Sequence, residues 1–159
     1  MADTAVLTQF LAFTLADETF AIEVESVREV LEVIPITRVP RMPDFMSGVI
    51  NVRGSVVPVI DLRVKFGMEA VEKTINTCIV VIEFGTGDAK VVWGALVDAV
   101  QEVLEFDGSQ VEPPPRVGTG LGTGLLKGIA RRDERFVMIL NMDRMFSDEE
   151  LSELKKTEG

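Results

Sequence analysis

The part of this sequence that comes closest to a cofactor-binding motif is the glycine-rich run 118–124. Backbone N–H groups in such a run could cradle a phosphate. The dinucleotide pattern does not fit, since Thr123 and Leu125 stand where its third glycine is needed. The P-loop pattern fails as well, because Lys127 precedes Gly128. We therefore interpret the run as a loop.

Paired carboxylates are the other candidates for chemistry. Asp98 with Glu102, or Asp133 with Glu134, could act as a general acid and base. Acidic residues number 26 against 16 basic ones, so carboxylates on a solvated face are expected here. The chain has no histidine, which is the commonest general base and metal ligand. The sequence predicts no catalytic residue, no metal site and no cofactor.

Charge and cysteine content narrow the class of protein further. A formal net charge of −10 disfavours a nucleic-acid partner and an anionic lipid surface, because both need clustered positive charge. The single cysteine, Cys78, cannot form an intramolecular disulfide and predicts a reducing compartment. No apolar run approaches the roughly 20 residues of a membrane span. A cytoplasmic protein without membrane insertion is expected.

The elements that would position these residues are mainly strands. Alternating apolar residues predict strands over Phe10–Leu15 and Phe20–Val24, with a turn at Asp17 and Glu18. The apolar spacing then becomes helical from Val24 to Leu31, which predicts a short amphipathic helix or helical turn that Pro35 ends. A short strand is predicted over 36–39.

The stretch 48–67 is the most informative. Two β-branched runs flank residues 53–55, which predicts a hairpin in which Gly54 supplies a positive φ. Pro58 predicts an edge strand or a bulge. Asp61 is expected to cap a short helix over 62–66, and Gly67 to end it.

The rest of the chain continues the β pattern. Hairpins are predicted over 76–84 with 90–97 and over 125–131 with 135–140, and a strand covers Val100 to Phe106. Ser147 and Glu150 fit a capping box that opens a C-terminal helix. Nine or ten short strands suit two small barrels.

Arg53 is the unusual residue of the stretch 48–67, because it stands between apolar strands at the predicted hairpin tip. One interpretation is an exposed turn residue. The other is an interface anchor, since arginine beside apolar surface is favoured at binding sites. From the residues alone, the chain is a β-rich binding module without visible catalytic groups.

The motif Gly48-Val49-Ile50-Asn51-Val52-Arg53-Gly54, followed by Pro58-Val59-Ile60-Asp61-Leu62-Arg63 and Phe66, resembles the CheW-like family of chemotaxis proteins. The resemblance extends to the segments 10–15, 20–22, 27–30, 97–100 and 140–143. It implies a mainly β fold of two intertwined five-stranded SH3-like barrel subdomains with short helices and a C-terminal helix. The two barrels would share one core in a single domain, 1–159, ordered over about 8–155.

The function that the resemblance implies is that of a non-enzymatic adaptor. It would couple the cytoplasmic tips of methyl-accepting chemoreceptors to the regulatory domain of a chemotaxis histidine kinase, and would reach membrane receptor arrays through these partners. The implied receptor contacts are Val27, Gly48, Arg53 and Ile79. Glu29 is the implied kinase contact.

Two alternatives remain open. The chain could serve a chemosensory pathway that controls something other than flagella. A rival from another class is a small nucleotide-binding or hydrolytic enzyme, which would need a catalytic constellation that the sequence does not present. A thermal shift of several degrees with ATP would favour that rival.

Overall fold

A computed structural model describes residues 7–85, 90–114 and 125–157 of the chain. Within them lie eleven strands, two short α-helices and three single 3-10 turns. The strands are β1 (Thr8–Leu15), β2 (Glu18–Glu23), β3 (Val27–Glu32), β4 (Met46–Val52), β5 (Ser55–Asp61), β6 (Cys78–Phe84), β7 (Val91–Val97), β8 (Ala99–Phe106), β9 (Val111–Glu112), β10 (Leu126–Arg132) and β11 (Arg135–Leu140). The helices are α1 (Leu62–Lys65) and α2 (Asp148–Thr157), and the 3-10 turns are Val24–Ser26, Gly108–Gln110 and Met142–Arg144.

The strands form two sheets, and the segments that build one sheet interrupt the segments that build the other along the chain. One sheet has six strands in the order β8-β1-β2-β11-β10-β9, and the other has five in the order β3-β6-β7-β5-β4. The middle of the chain builds the five-stranded sheet, while segments from both ends build the six-stranded sheet. The predicted mainly β class is confirmed, and the structure has two sheets, one with the five strands predicted for each barrel subdomain and one with six.

The largest apolar cluster draws on both sheets. Phe13 and Phe20 come from the six-stranded sheet, and Ile60 and Trp93 from the five-stranded one. Leu154 of α2 belongs to the same cluster. Since neither sheet could bury these side chains alone, we propose that both form one folding unit.

The predicted helix near Val24 is wrong beyond its first turn. Only Val24–Ser26 is helical, and Val27–Glu32 is a strand at one edge of the five-stranded sheet. In β3 the side chain of Val30 is exposed, whereas that of Glu29 is half-buried. Apolar residues at this spacing are compatible with a helix or a strand. Backbone pairing with β6, in which Val30 lies opposite Val80, makes this segment a strand.

Of the two alternatives predicted for Pro58, the edge strand is wrong, because β5 lies between β7 and β4. The other alternative agrees with the structure, since the β4–β5 ladder has a bulge between Met46 and Gly48, next to the Pro58 pair. Pro58 lies opposite Val49 of β4, while the parallel pairing with β7 covers only Val59 to Asp61. The proline, which has no N–H, therefore precedes the β7 ladder. The predicted strand over 36–39 is reduced to one bridge, between Thr37 and Val49.

The predictions that depended on local hydrogen bonding are confirmed. The carboxylate of Asp61 accepts hydrogen bonds from the backbone N–H groups of Arg63 and Val64, at 3.0 and 3.4 Å, and so caps α1. Gly67 follows α1 with φ +82°. The N–H of Glu150 donates to Ser147 Oγ at 3.1 Å, and the N–H of Ser147 donates to the Glu150 carboxylate at 2.8 Å.

Candidate protein-binding site

The central feature of the candidate site is an ion pair between Arg53 and Glu29. The guanidinium donates from Nη1 to Oε2 at 2.5 Å and from Nη2 to Oε1 at 3.0 Å, so the two side chains meet in a bidentate arrangement. The Arg53 side chain is 76% exposed and that of Glu29 is 19% exposed. The pair therefore presents a wide cationic surface above a largely covered carboxylate.

A tight hairpin turn holds Arg53 in place. Arg53 and Gly54 have φ of +50° and +87°, the two positive values typical of a two-residue turn that matches strand twist. The N–H of Gly54 donates to Asn51 Oδ1 at 2.8 Å, which fixes the turn from within. The predicted hairpin is confirmed, and Arg53 adopts positive φ as well as Gly54.

Glu29 reaches this turn from the opposite end of the sheet. It lies on β3, the first strand in the order of the five-stranded sheet, whereas Arg53 follows β4, the last one. The ion pair therefore bridges two edges that are not hydrogen-bonded neighbours. The two ends of the strand order therefore approach each other at this point, as in a closed barrel.

Both members of the pair remain charged at neutral pH. The hydrogen bond from Arg53 holds the pKa of the Glu29 carboxyl below its ordinary value, against a smaller opposing effect of burial. The charges of Arg53 and Arg28 act in the same direction. The Arg53 pKa is raised, first by the hydrogen bond to Glu29 and then by its charge.

The remaining predicted contact residues are less accessible than Arg53. Val27 is half-buried and packs against the largest apolar cluster. Gly48 is buried, and Ile79 has no exposed surface. Neither Gly48 nor Ile79 offers side-chain area to a partner in this structure, so a direct receptor contact at these two positions stays a prediction.

Gly48 and Ile79 nevertheless lie in one region of the five-stranded sheet. Gly48 lies opposite Val59, and Val59 in turn lies opposite Gly94 of β7. A Cβ atom on Gly94 would lie 2.8 Å from the Ile79 side chain. Gly48 and Ile79 therefore lie near one another through the close packing of neighbouring strands.

Sequence reasoning missed the ion pairs that join the two sheets. Asp98, predicted to be solvated, accepts from Arg63 Nε at 2.8 Å and from Arg63 Nη2 at 2.5 Å. Its Oδ2 also accepts from the N–H of Ala16, at 2.8 Å, so α1 is tied to the turn between β1 and β2. These contacts hold the pKa of Asp98 low, chiefly through the hydrogen bond from Arg63. Glu102, Asp133 and Glu134 are exposed, as predicted.

A second ion pair joins α1 to α2. Lys65 Nζ lies 3.0 Å from each carboxylate oxygen of Glu150 and 4.6 Å from the centre of the Phe45 ring. Burial alone would raise the pKa of the Glu150 carboxyl, but hydrogen bonds from Ser147 and Lys65 together hold it below its ordinary value. The motif Asp61-Leu62-Arg63 marked α1 as important, but no sequence signal connected it to Asp98 or Glu150.

Other predicted features have simpler outcomes. Trp93 is fully buried, and Cys78 is half-buried in β6. No group of three or more potential metal ligands occurs in the described residues. None of the helices within those residues has the length and apolar character to cross a bilayer. The glycine-rich run 118–124 lies outside them.

Comparison with known proteins gives one consistent family. The profile of the CheW-like domain matches residues 9–150. A chemotaxis protein CheW from Klebsiella aerogenes is 36% identical over 152 residues, which cover 96% of this chain and 89% of the relative. The relative from Helicobacter pylori is 31% identical, with 90% of this chain and 84% of the relative covered. The crystal structure of the scaffolding protein TtCheW from Thermoanaerobacter tengcongensis superposes with a TM-score of 0.81 at 34% identity, over 91% of this chain and 96% of that one.

Proposed function

This chain belongs to the CheW-like family, and from that premise we propose that it is a non-enzymatic adaptor that couples chemoreceptors to a chemotaxis histidine kinase. The observation that carries the proposal is the match along nearly the whole chain to relatives named as chemotaxis and scaffolding proteins. An adaptor works by holding two partners together, which raises the effective concentration of one near the other.

The surface around Arg53 is the part of the chain that suits such a role. Its guanidinium is exposed, oriented by Glu29 and rigidly presented at a two-residue turn. Arginine in such a setting is a frequent interface anchor. We assign receptor binding to this surface, with Val27 at its border, and kinase binding to the part of β3 that carries Glu29.

The partners and the location follow from the same proposal. The receptor would contribute its cytoplasmic tip and the kinase its regulatory domain. The chain would act in the cytoplasm and reach the membrane by binding receptor arrays. A net charge of −10 supports recruitment through proteins over direct binding to an anionic lipid surface.

Reconstitution tests the proposal. The purified chain is combined with the chemotaxis histidine kinase and with membranes that contain the chemoreceptors. Both come from the organism that encodes this chain. We expect the chain to sediment with the membranes, to bring the kinase with it and to make kinase autophosphorylation depend on the receptor. The chain alone should incorporate no phosphate from ATP and show no thermal shift with nucleotides. Absence of cosedimentation together with a strong shift with ATP would overturn the adaptor function.

A further inference from the structure

A groove on the six-stranded sheet lies away from the Arg53 surface. It has a volume of about 460 Å³ and is formed by the start of β2, the strand β8 and the turn between β10 and β11. The mouths of small β-barrels are common places for ligand and peptide sites. We name it the hairpin groove, and its lining residues are Thr19, Gln101, Glu102, Leu104, Arg132, Asp133, Arg135 and Val137.

Two arginines face this groove from adjacent positions. Arg132 and Arg135 lie directly opposite each other in the last rung of the β10–β11 hairpin, so both side chains project from the same face of the sheet. Like charges in directly opposite positions destabilise a strand pair. Folding stability alone therefore gives no reason for this arrangement.

The charges of these two arginines are poorly satisfied within the chain. Among the described residues, Arg132 forms one ion pair, with Asp133 at 3.9 Å, and Arg135 has no ion pair or hydrogen bond. The neighbouring Arg131 differs, since its guanidinium lies 5.3 Å from the centre of the Phe136 ring on the other face. The two groove arginines are thus available to a ligand, in a protein whose net charge is −10.

The floor and walls of the groove define what the ligand would be. Leu104 and Val137 are buried apolar residues at its base. Glu102 and Asp133 also line the groove, so its formal charge is near zero, and this disfavours a doubly charged phosphate more strongly than a single carboxylate. Arginine binds carboxylates through two parallel hydrogen bonds.

We propose that the hairpin groove binds an acidic side chain presented by a partner protein. This surface adds to the proposed adaptor function and does not depend on it. It would give the chain a second contact region, on the sheet that does not carry Arg53.

Solution NMR tests the proposal with a defined probe. A blocked leucyl-aspartyl-leucine tripeptide is titrated into the full chain, with the asparagine analogue and inorganic phosphate as comparisons. We expect the aspartyl peptide to shift the amide signals of Thr19, Arg132 and Arg135, and the asparagine analogue to bind at least roughly tenfold more weakly. Equal binding of both peptides, or shifts with phosphate and not with the aspartyl peptide, would overturn the proposal.

Matched variants separate binding from folding. Arg132→Gln and Arg135→Gln should abolish the shifts and should leave the thermal midpoint unchanged or raised, because each removes a like-charge contact. Lys127→Gln is the control, since Lys127 lies on the same strand and pairs with Glu23, outside the groove. The proposal fails if the arginine variants lower the midpoint by several degrees, or if they bind the aspartyl peptide as the control does.

Discussion

Arg53 and Glu29, to which we assign contacts with different partners, are joined to each other by two hydrogen bonds of 2.5 and 3.0 Å. The exposed guanidinium is oriented by the carboxylate beneath it. A change at one residue therefore changes the position or the pKa of the other. The two proposed binding functions are physically coupled at this point of the fold.

Arg53→Ala is expected to weaken binding of both receptor and kinase, by roughly tenfold or more if Arg53 is an interface anchor. Arg53→Lys should weaken binding too, because an ammonium group cannot make the bidentate contact. Both variants should melt near the wild-type temperature, since exposed substitutions rarely affect stability. Affinities are measured by calorimetry, and melting curves are recorded for the same variants.

Arg28→Ala is the control, because Arg28 is exposed on the same strand as Glu29 and forms a long ion pair, of 3.6 Å, with Glu83. Loss of receptor binding alone would show that the two residues act separately.

Asp98→Asn is expected to lower the free energy of unfolding at neutral pH by roughly 2–3 kcal/mol, through loss of charge-assisted hydrogen bonds. The folded-state pKa of Asp98 is depressed, so its contribution is present above the unfolded value of about 4 and is lost as the pH falls through the folded value. The difference between wild type and variant should therefore shrink in acid.

Urea unfolding at about pH 7 and about pH 3 measures this difference. Glu102→Gln is the control, because Glu102 is exposed and has no hydrogen bond or ion pair within the described residues. The same destabilisation of Asp98→Asn at both pH values would mean that the charge of Asp98 contributes nothing.

Gly48→Ala is expected to lower the free energy of unfolding by roughly 2–5 kcal/mol. Gly48 has φ +146°, and a Cβ atom there would lie 2.2 Å from the carbonyl oxygen of Thr37. Gly54→Ala is the matched comparison, since Gly54 also has positive φ, +87°, but open space around it. Gly54→Ala should lower the free energy of unfolding by only about 1–2 kcal/mol. Equal losses in denaturant unfolding would argue against crowding at Gly48.

Val27→Asp is expected to lower the free energy of unfolding by roughly 2–5 kcal/mol, because Val27 packs against the largest apolar cluster. Val30→Asp, three residues along the same strand, should cost less than about 1 kcal/mol, since Val30 is 42% exposed. Melting curves and receptor affinities are measured for both variants. If Val27→Asp melts like Val30→Asp but loses receptor binding, Val27 is an interface residue and not a core residue.

Unfolding of the whole chain is expected to be one cooperative transition. Trp93 is fully buried in the five-stranded sheet, and its ring meets Phe146, which precedes α2, edge to face at 5.0 Å. Tryptophan fluorescence should therefore change together with far-UV circular dichroism, which reports strands of both sheets. Two separated transitions would mean that the sheets unfold independently and that the proposal of one folding unit is wrong.

Much of the local structure could be predicted from the sequence, because its causes lie within a few residues. The hairpin turn at Gly54, the Asp61 cap and the Ser147–Glu150 capping box each depend on side chains and backbone groups two or three positions apart. The motif in 48–67 likewise identified the family, which the comparisons confirmed.

The remaining features were decided by contacts between distant parts of the chain. Residues 27–32 carry a pattern that suits helix or strand, and only pairing with β6, about fifty residues later, makes them β3. Arg53 meets Glu29 across 24 positions, and Arg63 meets Asp98 across 35. Arg132 and Arg135 are close in sequence, but the groove that they face is completed by β8. Periodicity and turn chemistry are local properties, whereas these partners are selected by the folded arrangement of the two sheets.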